Sequence, residues 1–179
     1  MTKRLPKGKL IYLREPTVED FDELAALYKL SRRLHRGLVS PKFSPEDFQE
    51  LLKRNEGEDY ESLLICINES DAIAGAITLS QIFRKAFCNA YLGYLLGANF
   101  IGKGYMTEAV RLILKHAFVN LKLHRVEAKV QAHNAPSINV LKRCGFTKEG
   151  FSPKYLKIGG KWRDHERWAI IKEDWRNKK

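Results

Sequence analysis

Several things are scarce in this chain, and each shortage excludes something. No stretch approaches the roughly 18 consecutive apolar residues that a bilayer-spanning helix needs, so no membrane partner is expected. The opening Met1-Thr2-Lys3-Arg4-Leu5-Pro6-Lys7 lacks the apolar core of a secretory signal. Cysteine is limited to Cys66, Cys88 and Cys144. That odd number, in apolar settings and without metal-ligand spacing, predicts reduced, mostly buried thiols and no metal site. Together these shortages predict a cytoplasmic protein. Repeats, low-complexity tracts and linker-like stretches are missing too, so residues 1–179 are expected to form one domain. A chain of this length buries about two-thirds of its unfolded surface.

Acid is also short, at 21 residues against 32 basic ones, for a formal net charge of +11. The cations gather at 3–14 (five, with no acid), 29–36 (four) and 154–167 (five against two acids). Such a surplus speaks to association with polyanions and not to fold. An ordinary solvated surface explains it equally well. No zinc finger, RNA-recognition signature or long basic helix marks a dedicated nucleic-acid module.

Periodicity and caps predict the element order. A first strand at 9–14 precedes Thr17-Val18-Glu19-Asp20, a cap with an acid three residues on, and then a helix over 21–30. A basic, irregular segment fills 31–44. Ser44-Pro45-Glu46-Asp47 opens a second helix, to about residue 53, with proline at its first position. After a polar turn at 55–60, strands are expected at 63–68, 72–82 and 89–96, linked by Glu69-Ser70-Asp71 and by 83–88. A helix over 104–121 sets Met106, Ala109, Val110, Ile113, Leu114, Ala117 and Leu121 on one face. It sets Thr107, Glu108, Arg111, Lys115 and Asn120 on the other. A strand at 124–131, a short helix at 136–144 stopped by Gly145, and strands at 146–157 and 162–171 around Gly159-Gly160 complete a mixed α/β sheet.

The most informative stretch is Ala98-Asn99-Phe100-Ile101-Gly102-Lys103-Gly104-Tyr105-Met106-Thr107-Glu108-Ala109. An apolar strand enters a turn with two glycines, and the turn opens into an amphipathic helix. Glycines let the backbone bend sharply and approach a ligand closely. The first helix amides lack intrahelical partners and sit at the positive end of the dipole, which suits an anion, most naturally a phosphate. No Lys-Ser/Thr pair follows the second glycine, and the third glycine of a dinucleotide fingerprint is missing. Taken alone, the stretch reads equally well as a plain turn.

Further motifs follow in order: Leu123-His124-Arg125-Val126-Glu127-Ala128, His133-Asn134-Ala135-Pro136-Ser137, Leu141-Lys142-Arg143-Cys144-Gly145-Phe146, Lys148-Glu149-Gly150-Phe151, and Gly159-Gly160-Lys161-Trp162-Arg163-Asp164-His165. With them, residues 91–175 resemble the GNAT superfamily (Gcn5-related N-acetyltransferases), and within it the RimJ/RimL branch, whose members acetylate N-terminal amines of ribosomal proteins. The family's phosphate loop, Gln/Arg-x-x-Gly-x-Gly/Ala, reads Asn99-Phe100-Ile101-Gly102-Lys103-Gly104 here, with a shorter, uncharged residue in the leading position.

The resemblance implies an α/β (α+β) acyl-CoA N-acyltransferase fold, a mixed and mostly antiparallel sheet splayed at its central strands, with flanking helices. It implies acetyl-CoA as co-substrate and no metal. Backbone groups of Tyr94, Leu95 and Leu96 are expected along the pantetheine arm. The amides of Gly102, Lys103, Gly104, Tyr105 and Met106 are expected on the pyrophosphate. The basic surplus would then attract the anionic coenzyme or suit work near ribosomal RNA.

Acetyl transfer needs a neutral amine, a stabilised oxyanion and a protonated leaving thiolate. The tyrosine that many relatives use as the acid is replaced by Leu141. Ser137 is the substitute candidate, or else it only satisfies the amides that open its helix. Asn134 is expected to contact the coenzyme arm, to cap that helix, or both. Asn139, one turn on, reaches the coenzyme or is plain surface. The glutamate that one relative is thought to use as a base aligns with Leu156, so no base emerges. Asp164 and His165 are candidates to orient a water or bind the acceptor, and Asp164 alternatively pairs with Arg163 or Arg167. His116 and His124 read as structural.

The acceptor is expected between 31–43 and 155–164, with His35, Tyr155, Trp162 and Asp164 as its contacts. The leading expectation is an enzyme acetylating a protein N-terminus, that of a ribosomal protein among them, as a monomer or homodimer. A polyamine or aminoglycoside acetyltransferase and a non-enzymatic ribosome-binding or nucleic-acid-binding protein are the alternatives.

Overall fold

The structure, a computed structural model, describes residues 7–38 and 43–177. Residues 1–6, which include the start of the basic run at 3–14, and residues 39–42 of the irregular basic segment lie outside the described residues. Seven strands make one sheet: β1 (Ile11–Arg14), β2 (Tyr60–Ile67), β3 (Ile73–Phe83), β4 (Asn89–Leu96), β5 (Arg125–Val130), β6 (Thr147–Ile158) and β7 (Lys161–Ile171). Their spatial order is β1-β2-β3-β4-β5-β7-β6, and every neighbouring pair is antiparallel except β4 and β5. The helices are α1 (Phe21–Leu30), α2 (Pro45–Arg54), α3 (Tyr105–Lys115), α4 (Ala135–Arg143) and α5 (Lys172–Asn177).

Sequence patterns record which faces of the sheet are covered. In β2, Leu63 and Ile65 pack with α3, while Leu64 and Cys66 pack with α1 and α2. Burial on both faces accounts for the unbroken apolar run. In β5, Val126, Ala128 and Val130 point into the α3 core, whereas Arg125, Glu127 and Lys129 alternate to the other face, where they are half-buried. Alternation there marks a half-covered strand. Glu127 lies between Arg125 Nε at 2.9 Å and Lys129 Nζ. Burial alone would raise its carboxyl, and the two cations reverse that and hold it below the usual range.

The helix starts follow their caps. Ser44 N donates to Asp47 Oδ2 at 2.8 Å and Asp47 N to Ser44 Oγ at 3.2 Å, a reciprocal box with Pro45 at the first helical position. Thr17 N donates to Asp20 Oδ2 at 2.7 Å, but a short 3-10 turn, Val18–Asp20, separates this pair from α1. Both amino groups of Arg14 grip the same carboxylate, at 2.7 and 2.6 Å. Burial opposes its ionisation, yet Arg14 and the Thr17 amide hold Asp20 below its ordinary value.

Two differences from the sequence pattern have physical causes. The helix expected over 104–121 is α-helical only to Lys115 and continues as a π-helical segment, His116–Asn120. The wider turn sets His116, fully buried, against Glu61 of β2, with Nε2 to Oε2 at 2.6 Å. The C-terminal α5 has no predicted counterpart. Its Trp175 packs against Phe118, the rings tilted at 49° with centroids 5.4 Å apart, an anchor that only tertiary packing supplies.

Candidate active site

Strands β4 and β5 are paired only from Asn89↔Arg125 to Leu92↔Ala128. Beyond that point β4 stays paired with β3, through Tyr94, Leu95 and Leu96, while β5 stays paired with β7. The edge of β4 from Gly93 to Leu96 therefore faces a gap. Gly93 is exposed, and a Cβ there would meet nothing within 4 Å.

The turn leaving β4 carries the second feature. Gly102 and Gly104 have φ of +77° and +83°, a backbone region that costs an L-residue about 1–2 kcal/mol. Gly104 occupies the cap position of α3 and has no side chain to fold back on the helix. The first intrahelical bond is Glu108 N to Gly104 O at 3.1 Å, so the amides of Tyr105, Met106 and Thr107 have no acceptor within the helix. Gly102, Lys103 and Gly104 are exposed, Tyr105 is half-buried and Met106 is buried. An exposed turn ending in unpaired amides at a helix N-terminus is built to receive an anion.

Helix α4 closes the opposite side of the gap. Asn134 caps it, its Oδ1 accepting from Ser137 N at 3.3 Å. The carbonyl of Ser137 accepts from the Tyr94 hydroxyl at 3.2 Å, tying the first turn of α4 to β4 across the gap. Burial pushes the Tyr94 phenol far above its ordinary value. Ser137 is half-buried and Asn139 is exposed on the same helix. Leu141, at the place of the missing tyrosine, is fully buried. Nearby Cys144 is pushed up by burial to about 11, which keeps it a thiol and an unsuitable nucleophile. Among the described residues no cluster of three or more His, Cys, Asp or Glu side chains could hold a metal. No described helix is long and apolar enough to cross a membrane.

The described part of the irregular basic segment, residues 31–38, forms a strap over the C-terminal ends of the central strands. Ser31 Oγ accepts from Ala98 N at 2.9 Å, and His35 Nε2 bonds to Leu96 O at 2.9 Å. Gln131 Nε2 donates to Gly37 O at 2.7 Å. A carbonyl only accepts, so His35 carries its proton on Nε2, and burial pushes the imidazole below its ordinary value. The strap thus spans from the end of β4 to the end of β5.

The remaining candidates lie on the β6–β7 hairpin. Tyr155 sits with its ring 5.8 Å from that of His165, Trp162 is exposed near the hairpin tip, and Asp164 Oδ1 accepts from Lys154 N at 2.7 Å. Asp164 so pins Lys154, whose φ is +47°, within the irregular β6 register between Ser152 and Leu156.

The structure brings Tyr94, Asn134 and Ser137 together with the turn at 102–106 around the gap. It sets His35 over the end of β4 and leaves Asn139 and Trp162 toward solvent. Sequence reasoning passed over Ser31, Gln131 and Glu108. Glu108, read as solvent-facing, accepts from the amides of Lys9 and Leu10 at 2.8 Å each and of Ile11 at 3.0 Å. An acid in a first helical turn was the only available signal.

Comparison with known proteins agrees with this geometry. The family model described as "Acetyltransferase (GNAT) domain" matches residues 11–147. A Bacillus subtilis protein named "Probable N-acetyltransferase YjcK" is 37% identical over 179 aligned residues, covering 94% of this chain and 97% of that one. The [Ribosomal protein uS5]-alanine N-acetyltransferase of Escherichia coli is 39% identical over 103 residues, 58% of this chain and 53% of its own. The solved structure of Mycobacterium smegmatis RimJ in complex with CoA-disulfide superposes with a TM-score of 0.84 at 26% identity, over 93% of this chain and 87% of that one.

Proposed function

The chain belongs to the GNAT acetyltransferase family, and from that premise we propose that it acetylates the α-amine at a protein N-terminus, with ribosomal proteins the first candidates. One observation carries the reading. The β4–β5 ladder stops at Leu92, and the same strand runs on to a turn, ten residues later, with two left-handed glycines and unpaired helix amides. A long, thin ligand with anionic groups at one end fits such a gap, and acetyl-CoA supplies an acetyl group activated as a thioester.

In this reading the amides from Gly102 to Met106 hold the pyrophosphate. The backbone edge at Tyr94, Leu95 and Leu96 borders the pantetheine arm. Asn134 presents its amide to that arm while capping α4, and Asn139 approaches the outer part of the coenzyme. Ser137 donates a proton toward the departing sulfur. The strap and the hairpin, with His35, Tyr155, Trp162 and Asp164, flank the acceptor.

Charge supports an N-terminal amine over a polyamine. Arg32, Arg33 and Arg36 on the strap are exposed, as are Lys154, Lys157 and Lys161 on the hairpin. Such a rim repels polycations and suits an acceptor close to RNA or carrying acidic groups. A protein α-amine has a pKa of about 7.7–8.0, so part of it is already neutral near pH 7.

The test is thiol release from acetyl-CoA against free N-terminal peptides of ribosomal proteins, lysine peptides with blocked N-termini, spermidine and an aminoglycoside. Selective turnover of the free N-terminal peptides is expected. Turnover of small amines alone would overturn the acceptor, and wild-type protein that neither binds nor cleaves acetyl-CoA would overturn the whole reading.

A further inference from the structure

One histidine on the strap side of the sheet is placed for chemistry. His165 is 3% exposed and lies on β7, beyond the last β5–β7 pair, Val130↔Glu166. Trp168 and Ile170 face the α3 core. Alternation along the strand therefore turns Arg163 and His165 to the other face, next to Gln131, which follows Val130. That corner lies under the strap. Gln131 holds Gly37 O, and Arg163 Nη2 lies 3.9 Å from where a Cβ on Gly37 would be. The Arg163 Nε is buried and has no hydrogen-bond partner.

The tautomer of His165 follows from a single bond. Its Nδ1 lies 2.9 Å from the carbonyl of Arg163, and a carbonyl offers no proton. The neutral ring therefore carries hydrogen on Nδ1 and presents a lone pair on Nε2. The titratable or charged groups that the strands set on its face are Tyr155 of β6, with its ring 5.8 Å away, Arg163 and Arg167 of β7, and Lys129 of β5, which pairs with Arg167. Lys129 is committed to Glu127 and lies over the Tyr91 ring, and His35 is committed to Leu96 O. Asp164 and Glu166 alternate to the opposite face, where Asp164 takes the Lys154 amide and Glu166 takes Trp168 Nε1.

We propose that His165 is the general base that frees the acceptor amine. The proposal rests on the acetyl-transfer reading above. Nε2 takes one proton from the acceptor ammonium and leaves a lone pair on nitrogen. That pair forms the C–N bond to the acetyl carbonyl carbon as the C–S bond breaks, and the sulfur leaves with its electron pair. The nitrogen loses a second proton, which the sulfur takes up. His165 returns its proton to solvent, so one proton is released per acetylation.

Two substitutions separate this role from a structural one. In His165→Asn the side-chain amide occupies the place of Nδ1–H and keeps the bond to the Arg163 carbonyl, but no base remains. His165→Gln puts an amide near Nε2 instead. General-base catalysis contributes about 10²–10⁴-fold, and partial self-ionisation of the amine reduces what is lost near neutrality. At pH 6.5 both variants are expected to lose about 30-fold or more in kcat/KM for the best peptide found. They should approach wild type near pH 9, where the amine is neutral unaided, and bind acetyl-CoA within twofold of wild type. Wild-type turnover in the same assay certifies the acetyl-transfer reading separately. His165→Asn within threefold of wild type at pH 6.5, or a deficit that stays constant up to pH 9, would overturn the proposal. If neither variant folds, the wild-type profile decides: a kcat/KM that falls toward acid only with the acceptor's own ionisation, tracking its pKa across peptides, would overturn it too.

Discussion

Replacing Glu108 with alanine strands three backbone amides at once. The Lys9 and Leu10 amides are open to water, which substitutes for the carboxylate at about 0.5–1 kcal/mol each. The Ile11 amide belongs to a fully buried residue, and leaving it without a partner costs about 1–3 kcal/mol. The sum is about 3 kcal/mol, a substantial part of the roughly 5–15 kcal/mol that stabilises a domain. Urea denaturation should show it as a lowered midpoint at constant slope, and thermal melting as a drop of about 6–12 °C. Glu108→Gln should fall between, because one carboxamide oxygen replaces two carboxylate oxygens.

Gly8 provides a check on the cause. A Cβ there would lie 2.5 Å from Glu108 Cδ, and that end of the side chain is pinned by its three bonds. Gly8→Ala should therefore destabilise the parent by more than it destabilises the Glu108→Ala protein. Glu108→Ala within 0.5 kcal/mol of the parent, or strict additivity of the two changes, would refute the reasoning.

Three further outcomes follow from other parts of the structure. Gly104→Glu should abolish measurable acetyl-CoA binding by calorimetry, since it sets a carboxylate at the anion site and strains a position with φ of +83°, while the fold survives with a loss of about 1–2 kcal/mol. Asp20 is held below its ordinary value, so its contribution to stability is present above the unfolded carboxylate pKa of about 3.9 and is lost as pH falls through the folded one; Asp20→Asn should flatten the decline in urea midpoint between pH 5 and 3, and an unchanged decline would contradict this. His116→Ala should cost about 2–4 kcal/mol by denaturation, through the cavity left by a fully buried ring and the loss of its bond to Glu61.

Local signals made much of the fold legible. Ser44-Pro45-Glu46-Asp47 fixes the start of α2 because every group in the box lies within four residues. The alternation of β5 and the unbroken run of β2 separate a half-covered strand from a fully covered one. The left-handed glycines of the turn and the orphan amides after it were legible because they are backbone properties. What stayed hidden depends on distant partners. Glu108 reads as a surface acid until β1 arrives 97 residues away in the chain. The strap reads as irregular because its order comes from Leu96, Ala98 and Gln131 and not from its own periodicity. His165 could be named from its motif, but its proton position rests on the conformation of a strand edge.

The arrest of the β4–β5 ladder also bears on how the molecule opens. Four antiparallel strands on one side and three on the other meet through only four parallel register pairs, Asn89↔Arg125 to Leu92↔Ala128. Strap bonds to Leu96, Ala98 and Gln131 add a second connection. One apolar core under α3 runs beneath both sides, so the join is a place where a local opening needs less free energy than global unfolding, and not a boundary between separate units. A molecule lodged between the two sides bridges both, so saturation at about 100 times its Kd should add about 2.7 kcal/mol. Native-state hydrogen exchange would read that gain first at the β4–β5 border, before the amides buried within either half respond.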